Sequence, residues 1–242
     1  MDIQDAVKIL STHQSATMSL EVLANGGRFR ITAPDGHSPV ELVAVLNLAT
    51  LALGGAGFDG NVTLQNATGK TAIAVSGRDG DIVLNDDSGK QSIRLSGPLG
   101  DVILRGADAA EDFEIAEADA QVPPGTVMVI DRGGKLRESF KAYDRRVAGI
   151  ISGGGTHKPG IVLGRSQISG HRRPIALVGK VYCRAEATLE PIGVGDLLTS
   201  SAIPGHAMKA GDSRKAQGAI IGKSLQTLPT GQSLIPVLVA LQ

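Results

Sequence analysis

Asp59 to Pro98 reads DGNVTLQNATGKTAIAVSGR, followed without a gap by DGDIVLNDDSGKQSIRLSGP: two copies of one 20-residue pattern. Gly60/Gly80, Leu64/Leu84, Gly69/Gly89, Lys70/Lys90, Ile73/Ile93, Ser76/Ser96 and Gly77/Gly97 coincide, and Val62/Ile82 and Val75/Leu95 exchange one apolar residue for another. A third copy starts at Gly100 with Val102 and Leu104 and dissolves into ADAAEDFE. A fixed period of this size marks stacked units that cannot bury their apolar faces alone. Within each copy the apolar residues sit two apart, the period of a strand, so each copy is two short strands. QNATGK and NDDSGK between them, and SGRDG and SGPLG after them, carry the Asn, Asp and Gly that accept turn geometry.

A hairpin with one apolar side is marginal in water. The repeat therefore implies either a β-solenoid coiled from one chain or several identical chains around a shared axis. Two clear copies fall short of the roughly three that a single-chain solenoid needs, which favours several chains, and a trimer multiplies the buried apolar area without lengthening the sequence. The expected fold class is all-β: a repetitive β-solenoid or intertwined trimeric β-stalk, followed by a compact β-sandwich or barrel-like domain.

Outward from the repeat, the chain divides into an N-terminal arm (1–18), a β-repeat stalk (19–107, with the repeats clearest at 59–106) and a C-terminal β domain (108–242). In the stalk the strand rhythm begins at Leu20 and Val22, turns at NGG and resumes at Phe29 and Ile31; Pro34 and Pro39 bracket a loop. Leu42 to Leu53, LVAVLNLATLAL, reads as one strand buried on both faces and is too short to span a bilayer at about 20 residues. In the C-terminal part, VPPGTVMVID, RRVAGIIS, PGIVLG, PIALVGKVYC, GDLLTSS, AIIGKSL and LIPVLVAL are short apolar runs between Gly, Pro and Ser, the spacing of a sandwich or barrel.

Composition excludes several function classes. Thirty-two glycines exceed the usual share of about 7 % but lack the triplet period of collagen. Lys+Arg and Asp+Glu balance at 24 each, which gives no electrostatic case for nucleic acid. Two Tyr, four Phe and no Trp leave little for stacking on bases or sugar rings. The single Cys183 permits no intrachain disulfide and reads as a small buried residue. The opening MDIQDAVKIL lacks a secretory signal, so the chain is expected to be made in the cytoplasm, with no membrane insertion.

Apparent motifs mostly fail on spacing. GAIIGKS, Gly218 to Ser224, has three residues between its glycines where a phosphate loop needs four. GGGTHKPG, Gly153 to Gly160, is a glycine-rich surface loop that could also wrap an anion with its backbone N–H groups. His13, His37, His157, His171 and His206 are dispersed without ligand spacing, so no metal or other cofactor is expected within one chain; a trimer axis would bring three copies of one His together. Asn61 and Asn66 match glycosylation sequons but read as turn residues.

In order along the chain, ADAAEDFEI, PGTVMVID, YDRRVAGIIS, RRPIALVGKVYC, GDLLTSS with PGHAMKA, and GAIIGKSL resemble the C-terminal intramolecular chaperone autoprocessing domain, peptidase G2-like, of phage tail and appendage proteins. The resemblance covers 108–242. It implies a domain that follows a fibre, drives trimer assembly and in some members cuts itself off upstream of an acidic patch. Carried over, the patch is Asp108, Glu111 and Asp112 and the scissile bond lies near Ala107–Asp108. Crowded carboxylates would raise one another's pKa and divide acid and base roles. Gly106 and Ala107 put no hydroxyl at the junction, a departure from the family pattern. The alternative is a solvated acidic collar of Asp108, Glu111, Asp112, Glu114, Glu117 and Asp119, or pairing with Arg145 and Arg146 of a neighbouring copy.

The first function expected is therefore a structural attachment protein: a homotrimeric fibre or spike on a phage or phage-like particle, held to a tail or baseplate protein through its N-terminus. A self-processing endopeptidase is the alternative. A cell-surface receptor or glycan would meet the tip through loops 152–160 and 166–174, with His157, His171 and Arg172 as contacts.

Overall fold

The computed structural model describes residues 17–23, 26–32, 40–45, 48–55, 59–116, 122–165 and 171–241. Most of the N-terminal arm, the Pro34–Pro39 loop, Asn47, Phe58, Glu117, Asp119, His13, His37 and residues 166–170 lie outside the described residues. The chain is nearly all β: nineteen strands and one four-residue helix among the described residues. It divides into two compact units, 1–103 and 104–242.

In the first unit, β1 (Thr17–Leu23), β2 (Gly26–Thr32), β3 (Val40–Val45) and β4 (Leu48–Leu53) form an antiparallel meander. Leu42–Leu53 is thus not one strand but a hairpin, with Val45 paired to Leu48. Leu51 is 56 % exposed, so that strand is not buried on both faces. Thr17 and Met18, read as the end of an arm, already belong to β1.

The repeat forms a second meander in this unit, β5 (Asn61–Gln65), β6 (Thr71–Ser76), β7 (Asp81–Asn85), β8 (Gln91–Ser96) and β9 (Asp101–Leu104). Each copy is a hairpin closed by the same turn. The Asn66 Oδ1 accepts from Thr68 N at 3.0 Å and Lys70 N at 3.1 Å, and Asp86 Oδ1 accepts from Ser88 N at 2.9 Å and Lys90 N at 3.1 Å. Gly69 and Gly89 follow at φ +76° and +83°, left-handed positions that glycine occupies without strain. Each loop leaves a one-residue register shift in the strand before it, the bulge such a turn requires.

The registers place Val62, Val75, Ile82 and Leu95 in one row and Leu64, Ile73, Leu84 and Ile93 in the next, all on one face; β9 continues the two-residue alternation with Val102 and Leu104. The opposite face carries Arg94, whose Nη2 lies 2.6 Å from Asp81 Oδ2. The apolar face is left uncovered: Leu64 is 53 % exposed, Leu95 41 % and Val102 66 %.

In the second unit follow β10 (Asp108–Glu114), β11 (Val127–Ile130), β12 (Leu136–Glu138), β13 (Val147–Ile151), β14 (Pro159–Leu163), β15 (Arg172–Ala187), β16 (Leu197–Ser200), β17 (Ala207–Lys209), α1 (Ser213–Ala216), β18 (Ile220–Ser224) and β19 (Gly231–Ala240). ADAAEDFE, where the repeat fades, is therefore itself a strand. β15 organises the unit. Its second half closes a five-stranded barrel in the order β15, β17, β16, β18, β19 and back to β15. Val181, Cys183 and Ala185 on β15 and Ile235, Val237 and Val239 on β19 alternate into its core with Leu198, Ala207 and Ile221. Its first half pairs with β10 and β13 over a second cluster of Ile115, Met128, Leu136, Ile151 and Ile175.

Candidate functional site

The Ala107–Asp108 peptide lies where three strands of the second unit converge. Asp108 opens β10, paired in parallel with Pro159 of β14 and antiparallel with Gly179 of β15. Ala107 N donates to Lys158 O at 3.1 Å, and Lys180 N donates to Ala107 O at 3.0 Å. Contact is close on both sides. A Cβ on Gly106 would meet Gly160 Cα at 2.2 Å, and one on Gly179 would meet Ala107 O at 2.6 Å and Asp108 Cα at 2.8 Å. Gly179, at φ +106°, lets β15 pass that near.

Asp108 is 5 % exposed, and neither of its carboxyl oxygens has a hydrogen-bond partner. Burial pushes the carboxyl above the usual carboxylate range. The Ser152 hydroxyl, the residue's own backbone and His157, when protonated, stand near enough to temper that rise, without a hydrogen bond of good geometry. Ser152, just after β13, is 4 % exposed with its Oγ equally unpartnered. His157 Nδ1 is a further buried orphan; its ring centroid packs 4.9 Å from that of Tyr182. The glycine-rich loop carrying His157 is shaped to that packing, since a Cβ on Gly155 would strike the Tyr182 ring at 2.6 Å. Two orphan polar atoms, Ser152 Oγ and His157 Nδ1, thus stand by a carboxyl whose own two oxygens are orphans, where buried polar groups are ordinarily satisfied.

The other carboxylates of the acidic stretch do not join them. Asp112 is 8 % exposed and tied to Arg172, whose Nε lies 3.0 Å from Oδ2 and whose Nη2 donates to the Asp112 carbonyl. Along a strand it stands about 13 Å from Asp108. Glu111 sits between the two on the alternate face, beside Gly164. The expected crowding of Asp108, Glu111 and Asp112 does not occur, because the strand's two-residue alternation and its pitch separate them; burial, not a neighbouring carboxylate, lifts Asp108.

Glu114 contacts Lys135, and of the two arginines expected to meet a collar, Arg146 lies 2.7 Å from Asp144 of the same chain while Arg145 is exposed. Of the three loop contacts, Arg172 is taken up by Asp112, His157 packs on Tyr182, and His171 is exposed, its carbonyl accepting from Ile115 N at 2.7 Å. No group of three His, Cys, Asp or Glu able to hold a metal occurs among the described residues. No described helix is long and apolar enough to cross a membrane.

Ser152 and Tyr182 are the participants that sequence reasoning missed. Ser152 carries a local signal, preceding the glycine triplet and standing five residues before His157. Tyr182 has none.

No family model matches the chain, and no curated protein does. Among solved structures it is similar to the crystal structure of the pre-mature bacteriophage phi29 gene product 12, at 19% identity and a TM-score of 0.40 over 62% of this chain. The match spans 25% of that chain. A likeness of this size assigns neither a fold nor a function.

Proposed function

We propose that the chain is a structural protein that works as a homotrimer, a fibre or spike component of a phage tail or phage-like particle, whose C-terminal unit promotes assembly. The observation that carries this reading is the uncovered apolar face of β5–β9. Eight Val, Ile and Leu side chains of β5–β8 line it in register, yet among the described residues no apolar side chain before Ala110 is fully buried. A contiguous exposed patch of this kind marks an interface, and identical chains with closed symmetry supply an identical partner face. The phage setting, a tail or baseplate partner at the N-terminus, a surface receptor and a location on the particle follow from the resemblance of 108–242 to the autoprocessing chaperone domains. Native mass spectrometry of the full chain tests the core of the proposal: three chains together support it, and a single chain at micromolar concentration overturns it.

A second reading, self-processing at Ala107–Asp108, is favoured by one observation. Asp108 is the only residue of the acidic stretch whose carboxyl is buried without a partner among the described residues, and it adjoins the bond in question.

A further inference from the structure

The four orphan atoms, two of them the Asp108 carboxyl oxygens, come from three separate places in the fold: the start of β10, the residue just after β13 and the loop before β14. Structural polar groups buried together ordinarily satisfy one another. Here the carboxyl, the Ser152 hydroxyl and His157 Nδ1 each keep an unused hydrogen-bonding site. A water molecule with two to four polar partners is what such a set holds. The peptide beside it is already polarised: the Ala107 carbonyl oxygen accepts from Lys180 N at 3.0 Å, a backbone donor of the kind that stabilises a developing oxyanion.

We infer that Ser152 and His157 are the working partners of Asp108 in hydrolysis of the Ala107–Asp108 peptide, with water as nucleophile. This rests on the self-processing reading and deepens it. The water oxygen adds to the Ala107 carbonyl carbon while His157 takes one of its protons. The C–N bond then breaks, its electron pair going to the Asp108 nitrogen, which takes the proton of the adjacent Asp108 carboxyl. The products are a carboxyl group on Ala107 and a free amino group on Asp108, and His157 returns its proton to the Asp108 carboxylate. No oxidant, metal or cofactor enters the balance. Ser152 touches no reacting atom; it is a positioning residue that orients the carboxyl. Lys158 before β14 and Lys180 on β15 meet Ala107 through their backbones and have exposed side chains, as does Arg105 two residues before the bond.

The test uses the full chain, incubated after purification and followed by intact mass and N-terminal sequencing. The expected result is a split into 1–107 and 108–242. Asp108→Asn, which lacks the transferable proton, stops it. His157→Ala slows it on the order of 10²-fold, the range of a lost general base, and added imidazole restores the rate, which a merely structural histidine would not allow. Ser152→Ala slows it and Ser152→Thr, keeping the hydroxyl, recovers it. His157→Gln replaces the alanine variant should that one lose its thermal transition. Cleavage at unchanged rates in the His157 and Ser152 variants overturns this assignment and leaves self-processing standing. A wild-type chain that stays intact from pH 4 to pH 9 overturns both.

Discussion

Asp108 and Asp144 sit a strand apart in kind: both are nearly buried carboxylic acids, and their surroundings move them in opposite directions. Burial lifts Asp108 above its unfolded value of 3.8. Its contribution to stability is therefore full below that value and is lost as pH rises through the folded pKa. Asp108→Asn should match wild type in acid and exceed it at neutral pH, read as a higher urea midpoint at pH 7 but not at pH 3.5; an equal offset at both would show that burial of the charge is not the cause. Asp144, held down by Arg146, has the reverse sign. Its stabilisation is present above the unfolded value and disappears as pH falls through the depressed one, modest in size because the Arg146 side chain is 43% exposed. Cys183, buried in the barrel, has its thiol pushed up to about 12. It should resist a maleimide in the native protein and react only at the rate of unfolding; prompt native labelling would contradict its place in the core. The burial of Cys183 was legible from KVYCRA. Which carboxylate of ADAAEDFE faces inward was not, because the register shift between Ala109 and Ala110 and the passage of Gly179 are set by partners far along the chain.

At the scale of elements, the hairpin repeat is written in the sequence almost completely. The strand period, the turn residues and the two strands of each copy all appear in the fold, because each depends on neighbours within twenty residues; the pairing of one copy with the next was not legible there. The same Asx turn recurs outside the repeat, where Asp131 Oδ1 accepts from Gly133 N at 2.7 Å and Lys135 N at 3.0 Å and Gly134 sits at φ +80°. DRGGK matches NATGK and DDSGK in its Gly-Lys ending, a signal available in the sequence but hidden by the loss of periodicity around it. Asn66→Ala, which deprives two backbone N–H groups of their acceptor, should cost about 1 kcal/mol, measured as a lowered denaturant midpoint. Gly89→Ala should cost at least as much, since alanine must then hold φ at +83°. No loss in either variant would mean that the hairpins are imposed entirely by packing. LVAVLNLATLAL shows where element reading fails: continuous apolar character cannot distinguish one buried strand from two strands paired with each other, as Val40–Val45 and Leu48–Leu53 are.

For the whole molecule, the distribution of buried apolar side chains decides what can stand alone. Both core clusters, from Ile115 to Val239, lie in the second unit. Residues 104–242 expressed separately should fold cooperatively, with a sharp thermal transition. The repeat sheet has no such reserve among its described residues: its apolar rows need a second surface, at roughly 25 cal/mol for each Å² removed from water. A charge placed in those rows therefore reads out the oligomer rather than the fold of the second unit. Replacing Ile82 and Leu95, which face each other in register, by glutamate would set six carboxylates against one another around a three-chain axis. The expected result is a native mass spectrum that falls from three chains to one, while the thermal transition of 104–242 persists. Glutamates on the opposite face at Thr63 and Ala74, also in register, should leave three chains together. If both pairs of substitutions dissociate the assembly alike, the apolar face is not its contact. If neither does, the chains are held through the second unit alone, and the repeat's exposed rows are left for a partner of another kind.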